Sequence, residues 1–355
     1  MVDDLTPRHR SRLREALRRA AASCPLAQAV VPANAIEERA RCRDGGAMPA
    51  WVYAPQDLTE REAALTGLHD VLASLAPSPL VRLYAARAEE LLAHTRLAAC
   101  VGTAAFSDRV SALRRSLEDA LVVARAWAGE RPDAAAPRTL TSGPGATLET
   151  ALRERLAALR IDWPVVVRPA MAALAATGDG FVAVAADRLI SEEAIARTVT
   201  HEIEGHVRPR VEAQRAHHAL AGIGSAGGND AQEGWAILCE ERAGHLTPTR
   251  RHELAWRTIA AARMRGGEDF ARVRLALEAE AGFARPHAYA LAESLFRGST
   301  GARPGLGREA AYVAQYLRVR DHLAVHPGDE AIFRVAQVTP EACALVREAQ
   351  LVRGS

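Results

Sequence analysis

The chain has 355 residues, 49% of them hydrophobic and 25% charged, and its 45 basic residues stand against 43 acidic ones for a net charge of +2. This is the composition of a soluble globular protein with no general attraction for nucleic acid. The sequence contains no lysine, which excludes lysine Schiff bases, lysine phosphate loops and kinase-type sites, and leaves proton transfer to Glu, Asp, His, Tyr or Cys because arginine stays charged.

From the N-terminus, Thr6-Pro7 reads as the N-cap and first residue of a helix that continues past Arg19. Its arginines, from Arg8 to Arg19, share the helix with Leu5, Leu13 and Leu17. That is a solvated amphipathic helix rather than a phosphate-binding surface. Thr59-Glu60-Arg61-Glu62 has the form of a capping box before Leu65, Leu68, Val71, Leu72 and Leu75. Helices are predicted over Val81–Thr95 and Ser107–Ala128. The Pro- and Gly-rich stretch 129–146 reads as a connector, and Thr147 as the cap of the next helix. The length and this break predict a helical N-terminal region over 1–128 and a second unit over 147–355.

Trp163–Val167 and Gly180–Val184 are the strand candidates. Further helices are predicted over Glu192–Val207, Ala231–Ala243, Thr249–Met264, Asp269–Ala281, His287–Phe296 and Glu309–Val325. The expected fold is therefore α+β and predominantly helical, with a small sheet just before the helix that starts at Ser191. No apolar run approaches membrane-spanning length, and no signal peptide is evident. Cys24, Cys42, Cys100, Cys239 and Cys343 are scattered and odd in number. These features predict a cytoplasmic protein with free thiols. Cys239, among apolar helical neighbours, reads as a core thiol.

The helix after Ser191 carries Thr200-His201-Glu202-Ile203-Glu204-Gly205-His206. Zinc peptidases commonly place histidines at i and i+4. Here the spacing is i and i+5, about 140° apart on a regular α-helix. One ion can bind both only if the helix widens locally, as a π-type turn would do. Gly205 offers backbone freedom for that turn, and Pro209 disfavours regular continuation after it. On this segment alone, Glu202 and His206 fit a plain i, i+4 surface pair equally well. A third donor shifts the balance: Gln232-Glu233-Gly234-Trp235-Ala236 follows a glycine-rich loop. Two histidines and a carboxylate with one open position form a catalytic zinc arrangement. Asp230, Glu240, His217, His218 and His245 compete as ligands, and Glu240 is better suited to support one.

The succession of H-E-I-x-x-H and Q-E-G-x-A resembles the QEGLA-motif metallopeptidases, whose characterised members are the microtubule-associated tyrosine carboxypeptidases. Pro32-Ala33-Asn34, Pro49-Ala50-Trp51-Val52-Tyr53, Asp162–Val167, Phe296-Arg297-Gly298-Ser299 and Leu306–Tyr312 resemble other segments of that family in the expected order. The resemblance implies that 147–355 is a zinc-peptidase-like domain. His201, His206 and Glu233 would be ligands to one Zn2+, and Glu202 the general base. The substrate would be the C-terminus of a peptide or protein, with release of an aromatic residue such as tyrosine. No nucleic acid or membrane partner is implied. Arg297 is the first candidate to grip a terminal carboxylate, Tyr312 a candidate donor to the developing oxyanion, and Arg208, Arg210 and Trp235 further substrate contacts. Trp235 stands where the family has leucine, and Val207–Leu220 departs from the family's segment there. The competing functions are a non-peptidolytic zinc-binding regulator or partner-binding protein, and a zinc amidohydrolase acting on a small amide.

Overall fold

Apolar residues at helical spacing set the architecture. The computed structural model describes residues 7–42, 48–113, 115–130, 132–133, 138–169, 171 and 173–349. Within them the fold is a predominantly helical α+β arrangement with small sheets. The first helix is Pro7–Ala22, with Leu17 fully buried; its expected cap, Thr6, and its stripe residue Leu5 lie outside the described residues. The second predicted helix is Thr59–Ser74, but Thr59 is its first residue and not its cap. Asp57 instead accepts from the backbone N–H and hydroxyl of Thr59 at 3.2 and 2.9 Å. The expected Ser107–Ala128 helix is divided into Ala104–Ala112 and Glu118–Ala128. At the restart the Ser116 hydroxyl accepts from the Glu118 N–H at 3.3 Å, a local alternative to continued helix.

The connector contains β1, Arg138–Leu140, paired antiparallel with β5, Leu189–Ser191. Neither was legible, because each is three residues long and finds its partner some fifty positions away. Thr147 caps the Leu148–Ala158 helix through a reciprocal box with Thr150. Both predicted strands are present, shifted toward the C-terminus: β2 is Val165–Arg168 and β4 is Val182–Ala185. They pair in parallel, and β3, Ala175–Thr177, joins the other edge of β4 antiparallel. The central strand β4 is buried throughout. One face of this sheet packs with Leu148, Leu152 and Leu156 against Ile203, Val207 and Val211. That contact brings the end of β3 to the metal-motif helix.

The helices Gly228–Arg242 and Ala311–Val325 form the next layers. Glycine permits both close approaches. A Cβ on Gly205 would meet Ala236 Cβ at 2.3 Å, and one on Gly234 would meet the Gln315 carbonyl oxygen at 2.4 Å. The largest core joins Leu65, Leu72 and Leu91 to Trp235, Tyr316 and Val346. No described helix is long and apolar enough to cross a membrane.

Candidate metal centre

The Ser191 hydroxyl accepts from the Ala194 N–H at 3.2 Å and starts the helix as its N-cap, with Glu192 and Glu193 in the first turn. The helix is α to Thr200, π over His201–Val207, and α again over Arg208–Arg215. A π turn closes i to i+5, which places His206 one turn beyond His201 on the same side. Pro209 does not end the helix. It sits in the first turn of the α segment that resumes directly after the π turn. Gly205 serves close packing on Ala236 rather than an unusual backbone angle.

The histidine Nε2 atoms lie 3.2 Å apart, and Glu233 Oε2 lies 3.4 Å from that of His201 and 3.7 Å from that of His206. These three donor atoms all fall within 4.8 Å of one another, so the group could hold a metal ion. The other ring nitrogens are engaged. His201 Nδ1 is 2.6 Å from Glu240 Oε1, and His206 Nδ1 is 3.1 Å from Gln232 Oε1. Glu240 and Gln232 thus fix the Nδ1 side of the two rings and leave both Nε2 atoms turned toward Glu233, an arrangement typical of metal-binding imidazoles.

The electrostatics call for positive charge at this point. Burial alone lowers the His201 pKa, but Glu233 and Glu240 outweigh it and raise it to about 10. Burial raises that of Glu233, and the two histidines overcome this to hold it at about 2. A divalent cation satisfies the same demand, so the residues fit one.

Glu202 is buried, and its Oε2 accepts from the Thr177 hydroxyl at 2.7 Å at the end of β3. Arg210 donates to the Thr177 carbonyl at 3.3 Å and to that of Gly178, pinning the strand end that orients Glu202. On the other side, Arg250 Nε and Nη2 each donate to Glu240 at 2.8 Å. Arg197 and Arg250 then share Glu253, at 3.3 and 3.4 Å. Tyr312 lies close enough to Glu233 for that charge, with burial, to raise its pKa well above the ordinary value. It is therefore a protonated donor at neutral pH. Arg257 lies over its ring, 5.5 Å from the centroid.

Of the predicted residues, the fold thus brings together His201, Glu202, His206, Glu233 and Tyr312, with Arg210 at the edge. Trp235 is buried, stacked on Phe333 with a centroid distance of 5.9 Å. It and Arg208 line a cavity of about 710 Å³ that Thr200 and Glu204 also border and none of the three donors does. Arg208 pairs there with Glu204 at 2.6 Å. Arg297 ends the Arg285–Phe296 helix beside Tyr53, whose hydroxyl donates to the Ser299 carbonyl. Among the competing ligands, Asp230 pairs with Arg308 at 3.2 Å, and His218 Nδ1 accepts the Leu220 N–H at 3.2 Å. Glu240 supports His201, as its spacing predicts. Cys239 is an inert thiol, its pKa pushed up to about 12 by burial.

Sequence reasoning missed Thr177, Gln232, Arg250 and Arg257. Gln232 had a signal in its position beside Glu233. The others come from separate elements and had none.

Fold and site together define a helix-rich α+β protein in which two histidines and a glutamate converge on a π-distorted helix, with a buried carboxylate beside them. The chain matches the model of the microtubule-associated tyrosine carboxypeptidase family over residues 43–336 and belongs to that family. Its members are carboxypeptidases by that description. No curated protein matches the chain.

Proposed function

We propose that the chain is a zinc-dependent carboxypeptidase that hydrolyses the last peptide bond of a peptide or protein, with tyrosine as the family's indicated leaving residue. The observation that carries this reading is the convergence of His201, His206 and Glu233 within 4.8 Å, with Glu202 next in sequence and held by Thr177. Zinc bound by those three would polarise the scissile carbonyl and lower the pKa of water to about 7. A structural zinc site needs no base beside its ligand, so Glu202 supports catalysis over simple metal binding. Glu202 would take the proton of the attacking water and return it to the departing amine. Tyr312, a phenol beside Glu233, would donate to the developing oxyanion. The fully or partly buried free cysteines suit a reducing cytoplasm.

The test is incubation of the zinc-loaded protein with peptides varied at the C-terminus, read by mass. Loss of one terminal residue is expected. Glu202→Gln should lower turnover by about 10²- to 10⁴-fold with zinc content unchanged. If no free-acid peptide is shortened while the zinc remains bound, the small-amide or non-catalytic reading replaces this one.

A further inference from the structure

Arg250, Glu253 and Arg257 occupy positions i, i+3 and i+7 of the Pro248–Arg265 helix, one face turned toward Arg197 and Tyr312. Three guanidiniums, Arg197, Arg250 and Arg257, meet two carboxylates, Glu240 and Glu253. Arg250 is bidentate to Glu240, and Arg197 takes Glu253. Arg210 is spent on the carbonyls at 177 and 178, and Arg308 on Asp230. Arg257 is left over. Among the described residues, no carboxylate lies within ion-pair distance of it, and its guanidinium rests on the Tyr312 ring at 5.5 Å. The charge of Glu253 reaches it only beyond contact distance and is already paired with Arg197 and Arg250, so the half-buried guanidinium is incompletely compensated for its desolvation, which an incoming anion offsets.

We infer that Arg257 is the substrate-specificity residue of this site, gripping the terminal α-carboxylate of the bound peptide. The inference rests on the carboxypeptidase reading above. The planar guanidinium accommodates a carboxylate through two parallel N–H···O bonds. Its seat on Tyr312 sets the distance from that carboxylate to the oxyanion donor, so the last peptide bond is the one presented to Glu202. Arg297, by contrast, has the phenol of Tyr53 as its electrostatic neighbour.

The experiment compares peptides with a free C-terminal carboxylate against the same peptides amidated. In the wild-type protein the free acid is preferred. Arg257→Ala should raise KM for the free acid by about 10- to 100-fold while the amide changes little, so that the preference collapses. Arg257→Lys, which keeps charge without the fork, should recover part of it. Zinc content and melting temperature should stay at wild-type values. If the alanine variant does not fold, the neutral, longer Arg257→Gln reads the same ratio. A preference unchanged in either variant overturns the assignment, as does its loss in Arg297→Ala alone. Calorimetric binding of both peptides to zinc-loaded Glu202→Gln separates the two proposals. Arg257-dependent binding of the free acid with no turnover by wild type sinks the hydrolytic reading alone. Turnover whose acid preference ignores Arg257 sinks this one alone.

Discussion

The Thr177 hydroxyl and the Arg250 guanidinium act one bond removed from the proposed chemistry. Thr177 holds Glu202 Oε2 at 2.7 Å, so Thr177→Val should lower kcat by about tenfold, with KM and zinc content near wild type. Thr177→Ser, which keeps the hydroxyl, should retain most of it, and equal losses in both variants would count against the orienting role. Glu240 is fully buried between His201 and Arg250. Replacing it with Gln would leave Arg250 only its longer contact with Glu253 and weaken the hold on the imidazole. A loss of about 10- to 100-fold in zinc affinity is expected, measured by competition with a chelator. The proposed donors His201, His206 and Glu233 and the proposed base Glu202 were legible because they fall in two short segments with functional spacing. Thr177 and Arg250 were not, because a threonine at a strand end and an arginine on a helix acquire meaning only from what is folded against them.

Among the elements, the π turn and the two glycine contacts beside it set the geometry. The i, i+5 histidine spacing requires such a turn if both are to bind one ion, and the helix adopts it over His201–Val207. The purpose of Gly205 differed from its sequence reading: the helix Gly228–Arg242 approaches so closely that any Cβ would overlap Ala236. Gly205→Ala should therefore destabilise the fold by about 1–3 kcal/mol, the range for overpacking. Adding Ala236→Gly should restore part of that stability by removing the other methyl. A denaturation double-mutant cycle measures the coupling, and strictly additive effects would contradict the contact. Gly234 faces the backbone of Gln315, where no side-chain change can make room.

For the molecule as a unit, His218 ties stability to pH. It is 4% exposed, its carbonyl accepts from Arg14 of the first helix, and its Nδ1 accepts the Leu220 N–H. Burial, with a smaller push from Arg14, lowers its pKa from 6.5 to about 4. Between those values the unfolded chain binds a proton that the folded chain does not. The contribution is thus fully present above about pH 6.5 and is lost as pH falls toward 4, amounting to about 3 kcal/mol. Urea midpoints measured across this window should fall less steeply in His218→Gln than in wild type.

The helix-rich class, two of the strands, and the residues proposed to hold the metal and move the proton were all readable before folding. Each of these is written in local periodicity or in the spacing of two short segments. Folding was needed to establish that Thr177 orients Glu202, that Gly205 is a packing residue, and that Trp235 belongs to the core. The proposal of Arg257 as the arginine that meets the substrate carboxylate likewise came only from the folded chain. With no lysine, every fixed side-chain cation in the chain is an arginine and looks alike in one dimension. Ion pairing is a through-space sum, and the lack of a contact carboxylate at Arg257 is seen only once its neighbours Arg197, Arg250 and Arg308 are matched to theirs.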